Sequence, residues 1–260
     1  MIEKVKYMDF KLRFALERHS DFASFYQVFI ENSYPHLLKL IADGDVVIDA
    51  GANIGIFTAL ASFMVGDSGM VLVVEPDPEN VVVLRKNILI NNLKNTILVE
   101  KALFQKSDET MDLISNGTMS KIISGHNSDS TMEFNRYSVK SITLDDLMTD
   151  LDITPTVLKM DIEGAEKFAL KEASRTLKTL RYLEAEIHDY ESEQELMKHG
   201  EFHFESSSAE NRGNVRKFAL KHPVKTFRLE YHNHFETAKR VLSNRKPTKV
   251  SYPKIIFGSR

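Results

Sequence analysis

The residues with chemistry in them are acids that end apolar runs. Asp49 closes Val46-Val-Ile, Glu75 closes Val71-Leu-Val-Val, and Asp161 follows Val157-Leu-Lys-Met, with Glu163 and Glu166 close behind. A fourth run, residues 181–188, alternates Glu184, Glu186 and His188 and ends on the histidine. Such runs read as buried parallel strands, whose tips gather along one edge of a sheet. Carboxylates collected there suit hydroxyl groups, cations and proton transfer.

The first tip leads into a turn that fixes the ligand class further. Asp49-Ala-Gly51-Ala52-Asn53-Ile-Gly55 precedes an apolar pattern at helical spacing (Ile54, Phe57, Leu60, Ala61, Met64). The turn presents backbone N–H groups at a helix start, where an anionic group is favoured. A dinucleotide fingerprint needs a second glycine where this chain has Asn53, and a P-loop needs Gly-Lys-Ser/Thr; both are excluded. An acid at the strand tip repels a pyrophosphate but suits a ligand with a cationic end, such as the sulfonium and ammonium of S-adenosylmethionine (SAM). Glu75, at the next tip, is positioned to accept ribose hydroxyls, and Asn80 to add a hydrogen bond. Asp161 would stand beside the sulfonium. Strand alternation sets Glu163 on the same face, and Glu163 or Glu166 would orient or deprotonate a substrate hydroxyl. His188 is a candidate general base because its ordinary pKa lies near working pH. With Asp161 and Glu163 it also makes an oxygen-rich set for a divalent cation, although no metal is assigned.

The elements that must hold these residues follow in order. Residues 1–44 read as helical from the spacing of Phe10, Phe14, Phe22, Phe25, Phe29 and Leu37. A β-α-β-α-β succession covers residues 46–99, with Asp77 as N-cap and Pro78 at the first turn of the second helix. Residues 105–140 break the rhythm: Ser115–Thr118 and residues 124–128 are turn-rich, which predicts a hairpin with a mobile tip. Strand and helix alternation then resumes through residue 199. Late strands are expected at 202–206, 226–231 and 254–257, with a helix over 235–242. The chain divides into a helical extension (1–44), a core (45–200) and a basic part completing the sheet (201–260).

Taken together, the Asp49–Gly55 loop, Val-Glu75-Pro76-Asp-Pro-Glu-Asn80, Leu-Asp145-Asp146-Leu and Leu-Lys159-Met-Asp161-Ile-Glu163-Gly164-Ala-Glu166 resemble the FkbM-type methyltransferases in the same order. The resemblance spans roughly residues 35–190. It implies an α/β, Rossmann-like class I methyltransferase fold with helices on both faces of a seven-stranded, mostly parallel sheet carrying one late antiparallel strand. It implies SAM as cofactor and O-methylation of a hydroxyl on a sugar or small metabolite. Residue by residue, Asp49, Gly51, Ala52, Asn53 and Gly55 match the loop around the methionine part of SAM. Glu75 and Pro76 match the ribose end, and Ala102 falls near the adenine.

Composition narrows the surroundings. The 260 residues are 42% hydrophobic and 27% charged, ordinary for a soluble globular chain. With no cysteine, disulfides, thiolate metal sites and thiol nucleophiles are excluded. The start lacks a signal-peptide core and no apolar run spans a bilayer, so a cytoplasmic enzyme is expected. Residues 201–260 hold 13 Lys and Arg against 5 Asp and Glu, and the first 200 hold 21 against 32. That asymmetry admits a polyanion such as RNA as an alternative acceptor to a small molecule or glycan. A non-catalytic SAM-binding protein is the remaining alternative.

Overall fold

The computed structural model describes residues 1–29, 34, 37–115, 120–123 and 135–198, and the backbone of three further strands at 203–207, 217–222 and 225–230. In chain order the elements are β1 (Ile2–Tyr7), β2 (Phe10–Ala15), α1 (His19–Phe29), α2 (Leu37–Leu40), β3 (Val46–Ala50), α3 (Ile56–Val65), β4 (Met70–Val74), α4 (Pro78–Asn91), β5 (Thr96–Val99), β6 (Ala102–Leu103), β7 (Thr110–Ser115), β8 (Ser120–Ile123), β9 (Asn135–Ile142), α5 (Leu144–Asp150), β10 (Val157–Met160), α6 (Glu166–Lys171), α7 (Ser174–Thr179), β11 (Tyr182–Glu186), α8 (Tyr190–Lys198), β12 (His203–Ser207), β13 (Lys217–His222) and β14 (Lys225–Glu230).

The strands β3, β4, β5, β10 and β11 form where the sequence has continuous apolar runs, because a parallel strand covered on both faces alternates between two cores rather than between core and solvent. Val47, Val71, Val73 and Val157 point into a core shared with α1, α3 and α4. Ile48, Ala50, Leu72, Val74, Leu158 and Met160 point into the opposite core, shared with α5 to α8. The main sheet runs β12-β13-β14-β11-β10-β3-β4-β5. Among the described residues it has eight strands rather than the expected seven. The added strand is β13, antiparallel to both neighbours while β14 runs parallel to β11. Its sequence, Lys-Phe-Ala-Leu-Lys-His, is short and half polar, so no apolar run announces it. The strand expected at 254–257 and the helix expected at 235–242 lie outside the described residues.

From β3 the chain winds outward to β5, then returns to place β10 on the other side of β3. The switch point is therefore between β3 and β10, and an open α/β sheet has its crevice there, beyond the carboxyl ends of the strands.

The N-terminal part departs from the helical reading. Residues 2–15 form an antiparallel hairpin of β1 and β2, and among the described residues of this part only α1 and the single turn of α2 are helical. The physical reason is visible in β2: Leu12 and Phe14 are buried while Lys11 and Arg13 are exposed, a period of two. Phe10 and Phe14 satisfy a helical spacing as well as a strand spacing, and Leu12 between them decides. The hairpin docks on α4, where Asn87 accepts from the Ala15 amide at 2.7 Å and Asn91 from the Arg13 amide at 2.8 Å.

Residues 102–142 build a second sheet, β6-β9-β7-β8, above the carboxyl edge of the first. In place of a simple hairpin, β7 pairs with both β8 and β9. It is fastened to the start of α4: Ser115 and Ser120 donate to Asp77, and Tyr137 and Asn135 donate to Glu79. Of the turn-rich stretches from which a mobile tip was expected, Ser115 ends β7, and 116–118 and 124–128 lie outside the described residues. No helix among the described residues is long and apolar enough to cross a membrane.

Candidate functional site

A cleft open to solvent lies at the carboxyl ends of β3, β4 and β10. Of the residues singled out from the sequence, Gly51, Ala52 and Asn53 of the loop line it. So do Glu75, Pro76 and Asn80 after β4, Ala102 of β6, and Asp161 and Glu163 after β10. Asp49, Gly55 and His188 do not.

The loop is shaped by close approach. Gly51 has φ of 72°, and a Cβ there would stand 1.7 Å from the carbonyl oxygen of Asp161. Only glycine fits both the left-handed backbone and that gap. Asn53 also takes a positive φ, 53°, which asparagine tolerates better than most residues. Its side-chain oxygen accepts from the Ile54 amide at 2.8 Å and from the Ser24 hydroxyl at 3.1 Å, and its own amide donates to Glu75 at 2.7 Å. Asparagine stands where a dinucleotide loop has glycine because here the side chain organises the turn. Gly55 serves packing instead: it caps α3 with φ of 81°, and a Cβ would stand 2.4 Å from Leu84.

Glu75 is 3% exposed. Oε2 accepts from Asn53 N, and Oε1 accepts from Asp77 N at 3.0 Å and from Asn80 Nδ2 at 3.3 Å. Burial pushes its carboxyl up to about 7, against the backbone donors of Asp77 and Asn53, which stabilise the anion. Those three donors leave one of its roughly four acceptor positions for a ligand, so it can take one hydroxyl rather than two. Asn80 is itself held by Arg18, whose Nη2 donates to Oδ1 at 2.8 Å.

Asp49 is fully buried beneath the loop, and its charge is answered from inside the protein. Lys159 Nζ stands 3.2 Å from Oδ1, and the Thr58 hydroxyl donates to Oδ2 at 2.5 Å. The cationic partner that its position suggested is thus Lys159 rather than a ligand. Lys159 also donates to the carbonyls of Ala50 (3.2 Å) and Gly51 (2.7 Å). Burial works against its ammonium, but Asp49 and Asp161 outweigh burial and raise its pKa. A lysine inside the buried run Val-Leu-Lys-Met was the signal for this residue, since an internal ammonium needs a carboxylate partner.

At the tips of β10 and β11 the acids meet a histidine. β10 ends at Met160, and Glu163 sits in a turn with φ of 55° rather than in strand alternation with Asp161. The Tyr34 hydroxyl donates to Asp161 Oδ2 at 3.1 Å. His188 Nδ1 is 2.9 Å from Glu166 Oε1, and its Nε2 is 3.5 Å from Glu163 and 3.9 Å from Glu186. Burial alone would lower the pKa of His188, but the hydrogen bond to Glu166 and the charges of Glu166, Asp161 and Glu163 raise it to about 10. His188 is therefore an imidazolium at neutral pH and has no free lone pair with which to act as the expected general base. Glu166, fully buried, accepts from the amides of Ile162 and Gly164 and holds the turn and the imidazole together.

Other walls carry no motif. Ser24 and Gln27 of α1, Tyr34, and Leu113, Ser120 and Ile122 of the second sheet also line the cleft. The aromatics of the N-terminal segment pack on one another, Phe14 against Phe25 and Phe29 and Phe25 against Phe29, in edge-on or tilted contacts. Polar positions on the same helix were the missed signal.

Residues 49–218 match the family profile described as the methyltransferase FkbM domain. Among solved structures the chain is similar to methyltransferase FkbM from Methylobacillus flagellatus KT, at 19% identity over 59% of this chain and 34% of that one, with a TM-score of 0.39. It is also similar to a putative rRNA-methylase from Clostridium thermocellum (12% identity, 78% of this chain and 96% of that one, TM-score 0.47). A third likeness is to precorrin-6y C5,15-methyltransferase from Geobacter metallireducens GS-15 (15% identity, 80% and 87%, TM-score 0.43). The chain spans about a third of the length of the Methylobacillus structure. No curated protein matches it.

Proposed function

Because the chain belongs to the FkbM methyltransferase domain family, we propose that its cleft binds S-adenosylmethionine and serves methylation of a hydroxyl oxygen on a sugar or other small metabolite. The observation that carries this is the Glu75 carboxylate, set by three protein donors beside a glycine loop with an acceptor position still open to the cleft. In this reading Gly51, Ala52 and Asn53 surround the methionine arm, Glu75, Pro76 and Asn80 hold the ribose end, and Ala102 adjoins the base. SAM would supply an electrophilic methyl group on a sulfonium.

The chain's own part is mainly alignment. Lys159 fixes the loop carbonyls, and Gly51 brings the loop against the backbone of Asp161, so the two walls keep a constant separation. Asp161 and Glu163 border the cleft and have carboxylate oxygens to orient an acceptor hydroxyl and take its proton as the oxygen–methyl bond forms. His188, held by Glu166, stands beside Glu163. A mouth rich in carboxylates disfavours a polyanion, so RNA ranks below a neutral polyol. Calorimetric titration with SAM and with S-adenosylhomocysteine tests the reading. Micromolar binding by the wild type and its loss in Glu75→Ala, with the fold retained, are expected. No binding of either molecule by folded wild-type protein would overturn it.

A further inference from the structure

Beyond the cofactor cleft, three side chains from two neighbouring strand tips converge: Asp161 after β10, Glu186 at the end of β11, and His188 two residues on. One ligand atom from each lies within 4.8 Å of the other two. Three atoms within 4.8 Å of one another can all lie within about 2.8 Å of a common point, so the set closes on an ion at about 2.1–2.3 Å with shifts of about half an ångström.

The surroundings suit an ion as well as the spacing does. Glu186 is 3% exposed and fixed on a strand. The imidazole is oriented from behind: Nδ1 is engaged by the fully buried Glu166, which turns Nε2 toward the carboxylates. A carboxylate behind a histidine is the arrangement that presents its far nitrogen to a metal.

We propose that Asp161, Glu186 and His188 bind one divalent cation of the magnesium and manganese class, and that this ion engages the methyl acceptor through two adjacent oxygens. The donor set, two carboxylates and one imidazole, matches that class of metal, and binding displaces the Nε2 proton. Asp161 borders the cleft, so an ion on it faces the space where an acceptor lies under the methyltransferase reading, on which this role rests. An acceptor with vicinal hydroxyls is the chemistry that such an ion selects. A bound cation also lowers the pKa of a coordinated hydroxyl, which helps to form the attacking oxygen.

The test is titration of metal-stripped full-length protein with MnCl2 at neutral pH, followed by calorimetry and by the loss of free Mn2+ electron paramagnetic resonance signal. One Mn2+ per chain is expected. Glu186→Gln and Asp161→Asn, each checked for folding by circular dichroism, should bind at least about tenfold more weakly. Glu191→Gln, an exposed change outside the set, should bind as the wild type does. No saturable Mn2+ binding by folded wild type, or unchanged affinity in a folded variant of the set, would overturn the proposal. SAM titrated into the same preparation separates the two readings. SAM binding without Mn2+ binding removes the ion and leaves the cofactor, and the reverse removes the cofactor.

Discussion

Two acidic patches share the carboxyl edge of the main sheet and reach opposite electrostatic solutions. At the β4 tip, Glu75 is surrounded by neutral donors: two backbone amides and the amide of Asn80. Burial dominates there, and the carboxyl is pushed up to about 7. At the β10 and β11 tips, several carboxylates surround one imidazole, and charge dominates over burial, so His188 is pushed up to about 10. Neutral donors fix a geometry without settling a charge, which suits recognition of a ligand hydroxyl. Clustered like charges need a cation, which suits a place where a proton or an ion is exchanged.

The largest effect is expected where the two patches touch. Gly51→Ala would drive a Cβ into the Asp161 carbonyl and demand a left-handed alanine, costing about 4 kcal/mol of stability in urea unfolding. A variant within 1 kcal/mol of wild type would mean that the two walls are not rigidly joined.

Glu75→Gln sharpens the contrast by pH. The raised pKa means that the folded protein binds the proton more tightly than the unfolded chain, so wild-type stability falls as pH rises from about 4.5 to about 7. The amide leaves one donor poorly matched, a cost of about 2 kcal/mol at pH 5. That gap should narrow by pH 8, because the variant has no buried carboxylate to ionise. Urea midpoints measured at both pH values check it, and a constant gap would show that Glu75 does not titrate there.

A smaller effect is expected from Glu166→Gln, about 1 kcal/mol at neutral pH, since the amide oxygen still accepts from Ile162 and Gly164. The imidazolium contributes stability that is fully present below about 6.5 and is lost as pH rises toward 10. Without Glu166 the loss should set in at lower pH, and the His188 resonances should titrate earlier by NMR. An unmoved titration would mean that the remaining acids alone hold the proton.

How much of this was legible depends on what each residue answers to. β3, β4 and β10 were readable because strands buried on both faces are mostly apolar, and an acid at or just past the tip of each marks its end. The glycine loop was readable because few residues fit its turn. The β1–β2 hairpin was misread because phenylalanines four apart suit either period, and the second sheet because its strands are short and mixed in polarity. Ser24, Gln27 and Tyr34 belong to no motif, and they reach the cleft only because α1 and the segment after it lie against the loop.

The sequence alone determined the family, the parallel core and the line of acids along its edge, since burial and turn geometry are written in local residue types. Tertiary structure decided which charge answers which. Asp49, Lys159 and Glu184 come from three strands and fall opposite one another in register, so a lysine is flanked by two acids that are distant in sequence. That row turned Asp49 from a candidate ligand contact into the partner of an internal ammonium. A few ångströms likewise made His188 an imidazolium. Coulombic energy depends on those separations and on the local dielectric, and neither is set until the strands pair and the helices cover them.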